Sequence, residues 1–313
     1  MARFPFGIPN SWYLLAYSDE LTPGTVLPLR ALDRDLVSFR SETGEAAVLD
    51  AHCPHLGAHL GVGGTVEGDT LRCPFHGWRW RTDGTCATIP YAKRIPQKAR
   101  IGSYPVVERN GMIFAWYHAS GEPPDFEIPD IPEWHDPEFV RPWLRSEWTL
   151  KTHPQEMAEN GIDWPHFERV HGMAMPEDRA HDFRAGAYTW RVGTSKSVST
   201  LEGLNDDLVI EGENWGLGYS WLRQRGHFET IVATGLTPID AETTRVRMGV
   251  IARRGDRDAA TLRRELRAYM DEHAVVATQD FTIWENKQFR STPLLCDGDG
   301  PIAEFRAWAA QFY

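Results

Sequence analysis

Cysteine is scarce, with 4 among 313 residues, too few for a disulfide framework and consistent with a reducing compartment. Positive charge is also in deficit. The 33 Lys and Arg face 44 Asp and Glu, and the net charge of −11 argues against nucleic acid or an anionic membrane as partner. No run approaches the roughly 18 apolar residues that a membrane span needs. The opening Met1-Ala2-Arg3-Phe4-Pro5-Phe6-Gly7 lacks the apolar core of a secretory signal. The expectation is a soluble, cytoplasmic protein. With 42% hydrophobic and 25% charged residues, the composition is that of globular domains, and the length suffices for two cores.

Two of the four cysteines lie in one stretch. It reads Cys53-Pro54-His55-Leu56-Gly57-Ala58-His59, a Gly-rich segment, then Cys73-Pro74-Phe75-His76-Gly77-Trp78. A zinc site also accepts two Cys and two His, but zinc-finger spacing groups like with like. Here each pair mixes one thiol and one imidazole. That pattern suits a two-iron cluster in which one iron takes both thiolates and the other both imidazoles. The four ligands are then Cys53, His55, Cys73 and His76, and the chemistry is one-electron transfer. Pro54 and Pro74 fix φ after each Cys. Gly57 and Gly77 let backbone N–H groups approach the sulfurs.

These motifs resemble the Rieske family. Ala58 and Phe75 stand where respiratory Rieske proteins carry an extra disulfide, so the likeness is to the oxygenase and ferredoxin branch. Around the stretch, Ser11–Tyr17, Leu36–Arg40, Ala46–Asp50 and Ile113–Tyr117 read as short strands of a small antiparallel domain. Residues 119–142, rich in Pro and acidic groups, read as an extended connector. Cys86 reads as a buried free thiol.

A second group follows. Glu156–Asn160 is helix-like behind Pro154, and Asp163, His166 and His171 come next. A non-haem iron that activates oxygen needs two His and one carboxylate on one face. The five-residue step from His166 to His171 does not fit one face of a regular helix, so the backbone must break. Pro165 is the expected cause of a kink. The third ligand is expected from a helix over about 258–288. There Leu262, Leu266, Tyr269, Met270, Val276, Ala277, Ile283 and Trp284 form an apolar stripe with Asp280 on it. A core-facing carboxylate is costly unless paired or metal-bound. Asp271, Glu272 and Glu285 are the competing acids. Between them, residues 183–253 show β patterning, with Trp190, Trp215, Trp221 and Phe228 as pocket walls or ordinary core.

Asn160-x-x-Asp163-x-x-His166-x-x-x-x-His171 resembles the mononuclear iron motif of Rieske oxygenases. The stretches 55–61, 89–96, 296–301, 305–306 and 312–313 resemble the 3-ketosteroid 9α-hydroxylase and sterol 7-desaturase branch. The resemblance implies an α+β chain with an N-terminal antiparallel β domain (1–140) and a C-terminal catalytic domain (141–313) of helix-grip type. It further implies Fe(II) on His166, His171 and Asp280, with Asn160 and Asp163 as catalytic neighbours. Asp163 would link His166 to His76 of an adjacent subunit in a homotrimer. Electrons would come from NAD(P)H through a separate reductase or ferredoxin. O2 would serve to hydroxylate an apolar, polycyclic, steroid-like substrate. A desaturase using the same centres and a Rieske electron carrier are the alternatives.

Overall fold

Strand-forming runs broken by tight turns build the first part of the chain, and one long sheet under a long helix builds the rest. The computed structural model describes residues 3–172, 184–197, 208–226 and 229–313. The chain divides into a unit of Trp12–Pro129 and a unit of Asp130–Tyr313 that also takes the N-terminal segment through Ser11.

The first unit contains β1 (Ser11–Tyr17), β2 (Val26–Ala31), β3 (Arg34–Arg40), β4 (Ala46–Asp50), β5 (Thr65–Glu67), β6 (Thr70–Arg72), β7 (Arg79–Arg81), β8 (Cys86–Thr88), β9 (Ser103–Tyr104), β10 (Val106–Arg109) and β11 (Met112–Tyr117). They form three sheets, ordered β1-β11-β10, β2-β3-β4-β9 and β5-β6-β7-β8. A core of Val37, Phe39, Leu49, Leu60, Leu71, Trp80 and Ile101 fills the space between strands, and Cys53, Cys73 and Cys86 are buried in it. Each large apolar side chain so buried contributes about 2 kcal/mol. The supposed connector is partly structural. Phe126 and Ile128 are buried, the Trp12 indole donates to the Phe126 carbonyl at 2.7 Å, and the Asn110 amide holds the Pro129 carbonyl at 2.8 Å.

The second unit contains α1 (Pro132–His135), β12 (Phe139–Leu150), α2 (Pro154–Asn160), α3 (Trp164–Arg169), β13 (Arg184–Ala185), β14 (Thr189–Ser197), β15 (Leu208–Trp215), β16 (Tyr219–Arg225), β17 (Glu229–Pro238), β18 (Thr244–Arg253), α4 (Ala259–Asn286) and α5 (Ile302–Ala309). Its seven strands form one antiparallel sheet in the order β12-β18-β17-β16-β15-β14-β13. The Asp258 carboxylate caps α4 by accepting from the N–H groups of Ala260 and Thr261, each at 2.9 Å. The helix lays Leu262, Leu266, Tyr269 and Met270 on Leu144, Val232, Val250 and Ala252 of the sheet. Further along, Trp284 packs with Leu150, Leu236 and Val246. The stripe read from sequence departs at Ile283, which is 46% exposed because its neighbour Trp284 takes the core-facing position. The N-terminal segment closes onto this unit, with the Asn10 N–H on the Phe312 carbonyl at 2.6 Å. Nothing in the sequence pattern announced that return.

Candidate metal centres

Two loops of one design carry the first donor set. The loop 53–59 lies between β4 and β5, and the loop 73–78 between β6 and β7. In each, the residue four after the Cys donates its N–H back to the Cys carbonyl: Gly57 to Cys53 at 2.9 Å and Gly77 to Cys73 at 3.1 Å. In each, the Cys N–H reaches the carbonyl five residues on: Cys53 to Ala58 at 2.9 Å and Cys73 to Trp78 at 2.8 Å. The turn requires φ of +78° at Gly57 and +71° at Gly77, values that glycine adopts without strain.

The loops bring both thiols and both imidazoles together. Cys53 and Cys73 are 1% and 2% exposed. The rings of His55 and His76 lie 4.7 Å apart. Burial pushes the Cys53 thiol up to about 11, against the pull of the His55 backbone N–H, and the neighbouring Cys73 sulfur adds to the rise. Two buried, adjacent sulfurs are costly as thiolates unless a cation lies between them. The His76 Nδ1 atom is buried without a hydrogen-bond partner, as expected of a metal-facing nitrogen. These donors fit a two-iron cluster. Trp78 was not anticipated: its indole stacks on His55 at 4.7 Å and donates to the Tyr91 hydroxyl at 2.8 Å. The adjacent Gly77 was the signal available for it.

The second donor set is assembled from distant segments. His166, His171 and Asp280 offer ligand atoms that all lie within 4.8 Å of one another. Asp163 sits at the N-cap position of α3, and Pro165 falls in the first turn. Proline there opens the helix and does not kink it, which corrects the sequence expectation. The break instead follows Arg169, where α3 ends, so His171 turns back toward His166. Asp280 projects from α4 and is 5% exposed. Two of its rivals do not join it. Asp271 and Glu285 are exposed, Glu285 takes the Lys151 N–H at 3.3 Å, and the Glu272 side chain lies outside the described residues.

Each imidazole is oriented through its other nitrogen. His166 Nδ1–H donates to the Asp163 carbonyl, and His171 Nδ1–H donates to Gln279 Oε1 at 2.8 Å. Both Nε2 atoms are thereby left toward the donor triangle. The bond from His166 goes to the backbone of Asp163 and not to its carboxylate, contrary to the expectation of a side-chain link. Burial holds the Asp163 carboxyl above its usual range. Burial also lowers the His166 pKa. For His171, burial is outweighed by the Asp280 carboxylate, 3.3 Å from Nε2, and by Gln279, so its pKa is raised. Asn160 ends α2 and reaches the same triangle, with its amide nitrogen 2.9 Å from His166 Nε2 and 3.0 Å from Asp280 Oδ2. Gln279 carries no periodic signal, and its role was not legible.

Of the proposed pocket walls, Trp190 is core, 1% exposed and packed edge-on against Phe305 at 5.7 Å. Trp215 and Trp221 are partly exposed, and Phe228 lies outside the described residues.

Two family models match the chain: a Rieske [2Fe-2S] domain over residues 11–105 and a 3-ketosteroid 9alpha-hydroxylase C-terminal domain over residues 115–313. The chain belongs to this family of Rieske oxygenases. It is 33% identical to the cholesterol 7-desaturase of Bombyx mori, over 100% of this chain and 71% of that protein. It is also 33% identical to the oxygenase component of a 3-ketosteroid-9-alpha-monooxygenase from Mycolicibacterium smegmatis, over 97% of this chain and 82% of that one. The fold of this Rieske oxygenase matches dicamba monooxygenase bound to dicamba, with a TM-score of 0.73 at 18% identity over 97% and 96% of the two chains. Among the described residues no helix is long and apolar enough to cross a membrane.

Proposed function

We propose that this Rieske oxygenase is the terminal component of a steroid- or sterol-hydroxylating system. The observation that carries the reading is the convergence of His166, His171 and Asp280 in a chain that also holds the Cys53, His55, Cys73 and His76 loops. A two-His, one-carboxylate face suits ferrous iron with positions left open. When bound, the cluster would supply single electrons and the iron would activate O2 for attack on an unactivated C–H bond. The protein's own part is to hold the ligands. The Asp163 carbonyl and Gln279 fix the two rings, and burial excludes water from Asp280.

The relatives' named substrates support an apolar polycyclic substrate here. NAD(P)H would act through a separate reductase or ferredoxin. A homotrimer would leave the Asp163 carboxylate free to meet a neighbouring copy's cluster, while the Asp163 carbonyl holds His166. Desaturation is the second reading, favoured by the similarity to cholesterol 7-desaturase.

The test is iron and acid-labile sulfide content with electron paramagnetic resonance after dithionite, followed by turnover of a steroid and sterol panel with a surrogate reductase. About three iron and two sulfide per chain are expected, with a product that gains one oxygen. A product that only loses two hydrogens would make the enzyme a desaturase. Asp280→Ala should abolish turnover while the reduced cluster signal persists. Two iron per chain, unchanged on adding ferrous iron, would leave an electron carrier.

A further inference from the structure

His166 presents Nε2 to the donor triangle as an acceptor, because its Nδ1–H is committed to the Asp163 carbonyl. Asp280 Oδ2 is an acceptor as well. The Asn160 amide nitrogen lies 2.9 Å from the first and 3.0 Å from the second. Since both partners accept, the amide presents its nitrogen, and each of its two hydrogens has one of them. His171 Nε2 approaches the same Oδ2 at 3.3 Å. One neutral NH2 group therefore satisfies two of the three atoms that would hold a cation.

The lone pair on His166 Nε2 can serve an N–H or a metal ion, not both. We infer that Asn160 is an internal stand-in for the metal, which keeps His166 and Asp280 satisfied and in register when the ion is absent and turns away from His166 when it enters. The inference rests on reading His166, His171 and Asp280 as metal ligands. It explains how a nearly buried carboxylate is held beside two imidazoles before metal arrives, since an unpartnered acceptor there would be costly. It also identifies the moving part. The neighbouring Glu159 is clamped by two bonds from the Arg306 guanidinium, at 2.6 and 2.8 Å, so the amide can swing while α2 stays in place.

The test uses the full chain with its cluster intact and its mononuclear metal removed, titrated with Co(II) against a fluorescent chelator. Asn160→Ala removes the competitor, so Co(II) affinity should rise about thirtyfold, the combined effect of two ordinary hydrogen bonds. The Co(II)-induced rise in Tm should widen, because the metal-free form loses the donor to His166 Nε2 and one of the two groups beside Asp280 Oδ2. Asn160→Leu, which fills the space without amide hydrogens, should move both readouts the same way. Unchanged or weaker Co(II) affinity in these variants overturns the inference. A wild type that takes up no Co(II), or a His166→Ala variant that binds it equally well, overturns the metal reading and this inference with it. A wild-type measurement needs no variant: the Asn160 side-chain amide protons should exchange slowly in the metal-free protein and fast after Zn(II) is added. Equal protection in both states overturns the inference.

Discussion

The loops that carry Cys53 and Cys73 hold their donors with backbone bonds closed inside each loop, whereas the corner that carries His166 takes its third donor from a helix far along the chain. Asn160 and Asp280, which touch, are 120 residues apart in sequence. The first arrangement is local and repeated, so it needs only two short segments in the right conformation. The second is a tertiary product. It exists only if α2, α3, α4 and the C-terminal segment all dock, and it should fail when a remote contact fails while the cluster loops remain intact.

The strongest break is expected at Gly300. A Cβ there would overlap the Ile162 carbonyl oxygen, which lies between α2 and α3, and a backbone atom cannot step aside as a flexible side chain can. Overpacking of this kind costs about 1–3 kcal/mol. Displacing a catalytic corner by about 1 Å can lower turnover about 100-fold. Gly300→Ala should therefore lose the iron proposed for His166, His171 and Asp280 and most turnover, with the reduced Rieske spectrum unchanged. Loss of both centres together would mean that the two are not independent.

A smaller effect is expected from the ion pair behind the corner. Arg306 and Glu159 keep only 17% and 8% side-chain exposure, and Lys287 sits 2.8 Å from the buried Glu156 alongside. Arg306→Met would leave the Glu159 carboxylate buried and unmatched, at a cost of about 3 kcal/mol. Arg306→Lys should recover only part of it, because an ammonium cannot reproduce the two-pronged contact. Denaturant midpoints of the second unit report the loss. Equal midpoints for wild type and Arg306→Met would remove the pair from the account.

The same contrast decides what could be read from the chain. Cys53, His55, Cys73 and His76 were legible because ligand spacing within a local loop is itself the structure. The strands flanking them were legible through β-forming runs and turns, and α4 through its apolar period, on which Asp280 lay. Asn160, Asp163, His166 and His171 were legible as a group. Their division of labour was not, because whether His166 bonds a carbonyl or a carboxylate depends on where α3 begins. Gln279, Glu159, Arg306 and Gly300 were silent. Each acts through a partner distant in sequence, and neither periodicity nor spacing records such a pairing.

The finest test concerns His153, which caps α2 and has no equivalent in the cluster loops. Its Nδ1 accepts from the Gln155 N–H at 3.2 Å, and its Nε2–H donates to the Gly7 carbonyl at 3.1 Å. The first bond requires the neutral ring, and although the Gly7 carbonyl favours the protonated one, burial outweighs it and holds the pKa down from 6.5 to about 4. The folded state thus favours the neutral form. This stabilisation is complete above the unfolded value of 6.5 and is lost as pH falls from there toward 4, by at most about 3 kcal/mol. His153→Asn keeps a capping oxygen but cannot titrate. Its stability should fall less than that of wild type between pH 6.5 and 4.5, at the cost of ring contacts with Phe4 and Phe6 that lower stability equally at every pH. The visible dichroism of the cluster, followed in the same melts, should respond to pH identically in both proteins. Parallel pH profiles of global stability in the two would show that the cap does not sense protons, and the sensitivity of the corner would have to arise at its other buried groups.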